Sequence, residues 1–301
     1  MIQIDIPKLM RLFPRFLRRH SLIKAILRLS PDSASQRISF NNHAYAWVDL
    51  GDPEARNVFL TRSFEPDFFS IIAPWIRDRG VFFDCGANFG LCTFGLAAGI
   101  AQSNVEYHLF EANPRLIPYL QRSIASHAGR FYLNHGCLAD KRGISHLNFS
   151  LESSGQSHIS SSGTEINNIV LDDYITANSI ERISVIKLDI EGAEPLAMRG
   201  LQRTLARGAI DLIYIEVLPE NLQRMGFTPG DVVRQLREAG FNLYYCRHAD
   251  HERVAQACWK KVTISGKDLL LAPMYGQEQE FSTDLLAVYH GSDFYHILNE
   301  L

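Results

Sequence analysis

Three short clusters of charged and glycine residues stand at the ends of apolar runs, where side chains can meet a ligand. The first closes the run Val81-Phe82-Phe83-Asp84-Cys85-Gly86-Ala87-Asn88-Phe89-Gly90. Gly86 and Gly90 permit a sharp turn and close approach of a ligand to the backbone at a helix N-terminus, where α/β sheets bind cofactors. A carboxylate at Asp84 would repel a pyrophosphate. It suits a cofactor with positive charge, and S-adenosylmethionine offers a sulfonium and an α-ammonium without any phosphate. Glu111, about twenty residues beyond the turn, ends a second apolar run, from which an acid accepts both hydroxyls of a ribose. That position supports a nucleoside and does not choose between S-adenosylmethionine and NAD; a strand-end glutamate paired with Arg115 is the plainer alternative. The third cluster is Ile186-Lys187-Leu188-Asp189-Ile190-Glu191-Gly192-Ala193-Glu194, where Lys187, Asp189 and Glu191 alternate toward the end of a buried strand. Charges this close to an apolar strand are costly unless they serve one another or a site. A Lys187–Glu191 or Lys187–Glu194 ion pair is the purely structural alternative.

The clusters need elements that bring them to one edge of a sheet. Val81 to Cys85 reads as a strand, Leu91 to Ile100 as a helix of small and apolar residues, Tyr107 to Phe110 as a second strand, and Leu116 to Ser126 as the next helix after Asn113-Pro114. Strand, helix, strand at this spacing predicts parallel βαβ units. Further strands are expected at 131–138, 145–150, 185–190, 211–217, 242–247 and 284–289, and the Ser/Gly-rich stretch Ser153 to Gly163 reads as a mobile loop. Alternation between Ser39 and Phe64 (Phe40, Tyr45, Trp47, Val48, Val58, Phe59) suggests short antiparallel strands before the main domain. A helix reaching Arg79, with Gly80 as its stop, leads into the sheet.

A chain of 301 residues, 46% of them hydrophobic, can bury a sizeable core. The division expected is a basic helical extension with short strands over 1–65 and the main domain over 66–301. Thirty basic residues against 33 acidic ones leave a net charge of −3, so no global field implies a nucleic-acid partner. The five cysteines (85, 92, 137, 246 and 258) lack the short spacing of a zinc or redox motif and suit a reduced, cytoplasmic setting. No apolar run approaches a membrane span, and Arg11, Arg15, Arg18 and Arg19 occupy the place of a signal-peptide core. Over residues 1–30, seven basic residues (Lys8, Arg11, Arg15, Arg18, Arg19, Lys24, Arg28) face the single acid Asp5. A helix packed on the domain with its basic edge in water accounts for that pattern, and so does a helix lying on anionic lipid.

The blocks Phe83-Asp84-Cys85-Gly86-Ala87-Asn88-Phe89-Gly90, Phe110-Glu111-Ala112-Asn113-Pro114 and Ile186 to Glu194, in this order, resemble the hallmarks of FkbM-type methyltransferases. Val170-Leu171-Asp172-Asp173-Tyr174 and Ile213-Tyr214-Ile215-Glu216-Val217 also match, so the resemblance covers about residues 80 to 220. Where the family usually has Glu-Pro after the second strand, this chain has Glu111-Ala112, which leaves the carboxylate in place. The resemblance implies a Rossmann-like class I methyltransferase: an α/β fold with a mostly parallel seven-stranded sheet, helices on both faces, an antiparallel last strand at 284–289, and an N-terminal extension. It implies S-adenosylmethionine at the C-terminal edge of the sheet and O-methylation of a sugar, glycan or polyketide-like acceptor. Asp84, Gly86, Asn88 and Gly90 would surround the methionine part of the cofactor and Glu111 the ribose. Cys137, Leu138 and Asp140, by position alone, would flank the adenine, and Asp189 would lie nearest the methyl group.

The expected chemistry is in-line displacement, so the protein mainly aligns donor and acceptor and removes a proton. Asp189 or Glu191 is the candidate general base, with Lys187 holding that carboxylate, and His158 is a second candidate because its ordinary pKa lies near neutrality. Asp189, Glu191 and Glu216 would also suit a divalent metal as hard oxygen ligands. The acceptor pocket is expected from the N-terminal extension, Ser153 to Gly163, and Tyr244 to Trp259, where Tyr244, Tyr245, His248, His251 and Trp259 offer faces for a sugar. Two rival readings remain at this level. An NAD-dependent oxidoreductase shares the glycine turn and ribose acid, although Gly86 to Gly90 lacks the G-x-G-x-x-G order. A non-catalytic Rossmann-like binding module would keep the sheet alone.

Overall fold

The structure, a computed structural model, describes residues 4, 6, 9, 19–41, 43–100, 104–150, 153–246, 260–264, 267–274, 283–293 and 295. Helix α1 (Arg19–Leu29) turns Ile23 and Ile26 into the core and leaves Lys24 and Arg28 exposed, so its apolar stripe is used within the protein. Most of the basic segment before Arg19 lies outside the described residues. Strands β1 (Ser35–Phe40) and β2 (Ala44–Asp49) form the expected antiparallel pair, with alternate residues buried. The pattern does not continue to Phe64. Asp52 accepts a hydrogen bond from the Ala55 N–H and Pro53 pre-sets the first turn, so Val58 and Phe59 lie in helix α2 (Pro53–Thr61). Helix α3 (Pro66–Ile72) passes into a 3-10 turn at Ala73–Trp75 and stops short of Arg79. Pro74 has no N–H with which to continue the ladder.

The expected βαβ units follow: β3 (Val81–Cys85), α4 (Leu91–Gly99), β4 (Glu106–Glu111), α5 (Ile117–Ser126) and β5 (Arg130–His135). The chain then leaves the main sheet. The expected strand at 131–138 breaks at Gly136, where a Cβ would meet the Ile169 side chain at 2.6 Å. Beyond it β6 (Cys137–Leu138), β7 (Ile144–Asn148), β8 (His158–Ser160) and β9 (Thr164–Ile169) build a side sheet in the order β6-β9-β7-β8. Part of the stretch read as a mobile loop is therefore strand β8, paired antiparallel with β7. The chain returns through α6 (Leu171–Ala177), β10 (Ile183–Leu188), α7 (Glu194–Arg199), α8 (Gln202–Ala206), β11 (Ile210–Val217), α9 (Pro219–Arg224), α10 (Pro229–Glu238) and β12 (Phe241–Cys246). Strands β13 (Lys260–Ile264), β14 (Lys267–Pro273) and β15 (Thr283–Tyr289) complete it.

The main sheet runs β13-β14-β12-β15-β11-β10-β3-β4-β5. Strands β5, β4, β3, β10 and β11 are parallel, and β15 is inserted antiparallel between β11 and β12. Seven of the nine strands are those the resemblance implied. The other two, β13 and β14, are an antiparallel hairpin added at the β12 edge. Both faces carry helices over separate cores. Phe82 and Leu109 point to one face with Ile23, Phe68, Phe94 and Leu120, while Phe83 and Ile186 point to the other with Ile175, Met198 and Leu236. Chain direction across the sheet reverses between β3 and β10, and a crevice opens at such a switch point outside the carboxyl ends of the strands.

Candidate functional site

At the end of β3 the chain turns through Gly86, Asn88 and Gly90, all with left-handed backbone (φ 84°, 51° and 75°). Gly86 has no alternative residue: a Cβ there would lie 1.8 Å from the Asp189 carbonyl oxygen. The turn is pinned to β4, because the Gly86 and Ala87 N–H groups both donate to the Phe110 carbonyl at 3.0 Å. The Asn88 N–H donates to Glu111 Oε2, and the Asn113 N–H to Glu111 Oε1, each at 2.7 Å. Glu111 is thus clamped by backbone at the strand end and is only 7% exposed. Arg115 instead donates to the Ser150 carbonyl. Burial pushes the Glu111 carboxyl up to about 7, against the pull of the N–H groups that favour its charged form.

A cavity of about 240 Å³ lies across the ends of β4, β3, β10 and β11. Gly86, Asn88, Glu111, Cys137 and Leu138 line it on the β4 side, and Lys187, Asp189, Glu191 and Glu216 on the β10–β11 side. His158, on β8, is part of its wall with Ser154 and Gly155. Three of the residues expected around the cofactor stand elsewhere. Asp84 is 1% exposed and lies behind the wall, accepting from Thr93 Oγ1 at 2.6 Å. Gly90 faces Phe94 and Leu120, which leave no room for a Cβ. Asp140 is exposed, because pairing of β6 with β9 and the Ala139 N–H bond to the Ile169 carbonyl carry the chain away from the cavity.

Lys187 holds Asp189, one of the two carboxylates expected of it, and pairs with neither glutamate of the structural alternative. Its Nζ lies 2.7 Å from Asp189 Oδ2, with the lysine side chain 6% and the aspartate 33% exposed. Burial works against the lysine charge, but Asp189 and further acids outweigh it and hold the ammonium well above its ordinary pKa. Glu191 has left-handed backbone (φ 57°) and accepts from Asn221 Nδ2 at 2.6 Å; burial, then Asp189, pushes it up to about 7. Glu194 closes the turn by accepting from the Ile190 and Gly192 N–H groups. Glu216 is pushed up to about 10 by burial and by Asp189 and Asp284. Among the described residues no three His, Cys, Asp or Glu side chains converge as metal ligands. Asp189, Glu191 and Glu216 therefore share a cavity without forming the oxygen cage their types suggested.

The sequence reading missed Glu54, Phe64 and Glu65, which reach the cavity from α2 and the segment before α3. Only the Asp52-Pro53 helix start was there to be read; nothing local says which way α2 faces. Asp52 also ties this rim to the side sheet, since its Oδ2 accepts from Ser154 N–H at 2.7 Å and Ser154 Oγ at 2.9 Å. Of the expected acceptor segments, 153–163 contributes to the wall, whereas Tyr244 and Tyr245 are buried in the core on β12. His248, His251 and Trp259 lie outside the described residues. Asp172 is structural: it accepts from Arg203 N–H, Thr204 N–H and Thr204 Oγ1 and so joins α6 to α8.

The residues fit S-adenosylmethionine better than a dinucleotide. Glu111 has unused lone pairs for hydroxyl donors. Among the described residues, the sole lysine on the wall is already paired with Asp189, and no arginine lines the cavity to receive a pyrophosphate. No helix among the described residues is long and apolar enough to cross a membrane. A family model described as the methyltransferase FkbM domain matches residues 84–243, just over half of the chain. The chain is 23% identical over 177 residues to a hexuronic acid methyltransferase, AglP, of Haloferax volcanii, covering 58% of this chain and 69% of that protein. Among solved structures it resembles a methyltransferase FkbM from Methylobacillus flagellatus (15% identity, TM-score 0.40, 77% of this chain and 52% of that one). It also resembles a SAM-dependent O-methyltransferase from Thermotoga maritima (10% identity, TM-score 0.40, 87% and 80%).

Proposed function

The chain belongs to the FkbM methyltransferase family, and we propose that it transfers a methyl group from S-adenosylmethionine to a hydroxyl of a sugar, glycan or polyketide-like acceptor. Membership sets aside both the NAD-dependent oxidoreductase and the non-catalytic module. The observation that carries the finer reading is the cavity with a backbone-clamped carboxylate at one end and the Lys187–Asp189 pair at the other. A sugar acceptor is further supported by the name of the Haloferax relative.

In this reading Glu111 accepts the ribose hydroxyls, Gly86 and Asn88 border the methionine part, and Cys137 and Leu138 flank the adenine. The bound cofactor supplies a methyl group already activated on a sulfonium. What remains for the protein is alignment and proton removal. Asp189, held by Lys187 and in contact with solvent, accepts a hydrogen bond from the acceptor hydroxyl; Asp189 or Glu191 takes the proton as the C–O bond forms. His158 is the second base in reach of the cavity. We retain two further proposals: a division into an extension (1–65) and a methyltransferase domain (66–301), and a cytoplasmic protein whose basic segment 1–30 keeps its basic edge in water, with peripheral contact on anionic membrane as the alternative, the two separated by vesicle flotation with and without residues 1–30.

Calorimetry with S-adenosylhomocysteine and with NAD tests the cofactor assignment: binding of the first and not the second is expected, and the reverse defeats it. Asp189→Asn should abolish labelled methyl transfer while the nucleoside still binds. Full activity in that variant would remove Asp189 from its role.

A further inference from the structure

The two ends of the cavity differ in charge, and the difference bears on donor and product unequally. On the β10–β11 side stand Asp189, Glu191 and Glu216, with Glu54 and Glu65 at the open rim. Among the described residues Lys187 is the one lysine or arginine on the wall, and it is matched by Asp189. Among the described residues no ion pair reaches Glu54, Glu65, Glu191 or Glu216. Behind the same wall, Asp84 is a carboxylate 1% exposed whose Oδ1 has no hydrogen-bond partner among the described residues. It stands close enough to Lys187 and Asp189 to feel both charges. Burial above all raises Glu54, Glu65 and Glu191 to about 7 and Glu216 to about 10, so above pH 7 the first three ionise and this end carries more negative than positive charge in a partly dehydrated space, where each charge acts over several ångströms.

Resting on the transferase reading above, we infer that this acidic end discriminates between the methyl donor and the spent product by charge. The acids Glu191, Glu65 and Glu54 hold the sulfonium form and release the neutral thioether. Transfer converts a sulfonium into a thioether: the S–CH3 bond breaks, its electron pair stays on sulfur, and the positive charge disappears from the cofactor. The acceptor oxygen gains the methyl and loses its proton to a carboxylate. The proton on that carboxylate carries the positive charge the cofactor has lost, and once it leaves to solvent the ionised acids have no counter-charge on the cofactor. Glu111, at the other end, meets the same ribose in donor and product and cannot distinguish them. Charge-selective retention at one end and charge-blind retention at the other would let the product leave without loosening the grip on the nucleoside.

The test is binding and needs no acceptor. Titration calorimetry at pH 8 and low salt would compare S-adenosylmethionine, S-adenosylhomocysteine and sinefungin, which carries a protonated amine where the donor has its sulfonium. Both cations are expected to bind at least about tenfold more tightly than the thioether, a ratio that shrinks as salt is raised. In Glu65→Gln and Glu54→Gln the ratio should fall toward one while thioether affinity changes less than about twofold. The native ratio alone is decisive even if a variant fails to fold. Equal or tighter binding of S-adenosylhomocysteine overturns the charge discrimination and leaves the transferase reading intact. Failure of all three compounds to bind overturns that reading itself.

Discussion

The β4 end and the β10–β11 end of the cavity hold carboxylates by opposite means. At the first, Glu111 is fixed by two backbone N–H groups from segments within about two dozen residues of it, Asn88 and Asn113. At the second, Lys187 and Asp189 are bonded to each other, Glu191 leans on an asparagine of α9, and Glu54, Glu65 and Glu216 arrive from separate elements. A site built on backbone is positioned by the turn that creates it and tolerates neighbouring side-chain changes. A site assembled from side chains depends on every charge in it, because removing one leaves the others uncompensated.

That contrast breaks most readily at Lys187. Lys187→Met leaves Asp189, Asp84 and Glu216 without their shared cation, and urea denaturation should show stability reduced by about 3 kcal/mol, at the lower edge for a broken buried pair because Asp189 keeps solvent contact. A reduction below about 1 kcal/mol would mean that the acidic end does not rely on this lysine. The next effect lies at Glu111. Because burial raises its carboxyl to about 7, it is protonated below that pH and ionised above, and the ionised form is the better acceptor for ribose hydroxyls. Affinity for S-adenosylhomocysteine, which lacks the sulfonium charge, should therefore rise about tenfold between pH 6 and pH 8. Glu111→Gln should lose that increase and bind about tenfold more weakly at pH 8; an unchanged pH profile would remove Glu111 from the nucleoside end. The smallest effect concerns the tie between rim and side sheet. Asp52→Ala removes both the α2 cap and the two bonds to Ser154, which should cost about 1–2 kcal/mol and speed cofactor dissociation in stopped-flow. Ser154→Ala, which spares the cap and the Ser154 N–H bond and removes the Oγ bond alone, should reproduce part of the faster dissociation with little loss of stability.

Much of the β4 end was legible because it is local. The strand Val81–Cys85, the left-handed turn at Gly86, the second strand and its terminal acid follow one another closely, and periodicity and turn chemistry act at that range. The same reasoning went too far with Asp84 and Gly90, which belong to the motif yet serve packing behind the wall, and with Asp140, which lies just past the sharp departure at Gly136. Spacing marks a strand end; it does not say which residues of the turn face inward. Lys187 holds Asp189, one of the two carboxylates expected of it, and the choice between them was not legible: glutamates at 191 and 194 are spoken for by Asn221 and by the turn's own N–H groups, and neither bond can be seen without the folded loop.

By itself, the sequence determined the α/β class, the parallel βαβ core, the family and the placement of Glu111, Lys187 and Asp189 at strand ends. These depend on alternation, glycine turns and spacing within a few dozen residues. Only the tertiary structure decided that Glu54 and Glu65 stand at the rim, that β8 brings His158 to the wall, and that two further strands extend the sheet. The physical reason is that burial and electrostatic fields come from whatever packs nearby, and the acids that confront Lys187 are separated by up to about 160 residues of chain, a distance over which no local pattern carries information.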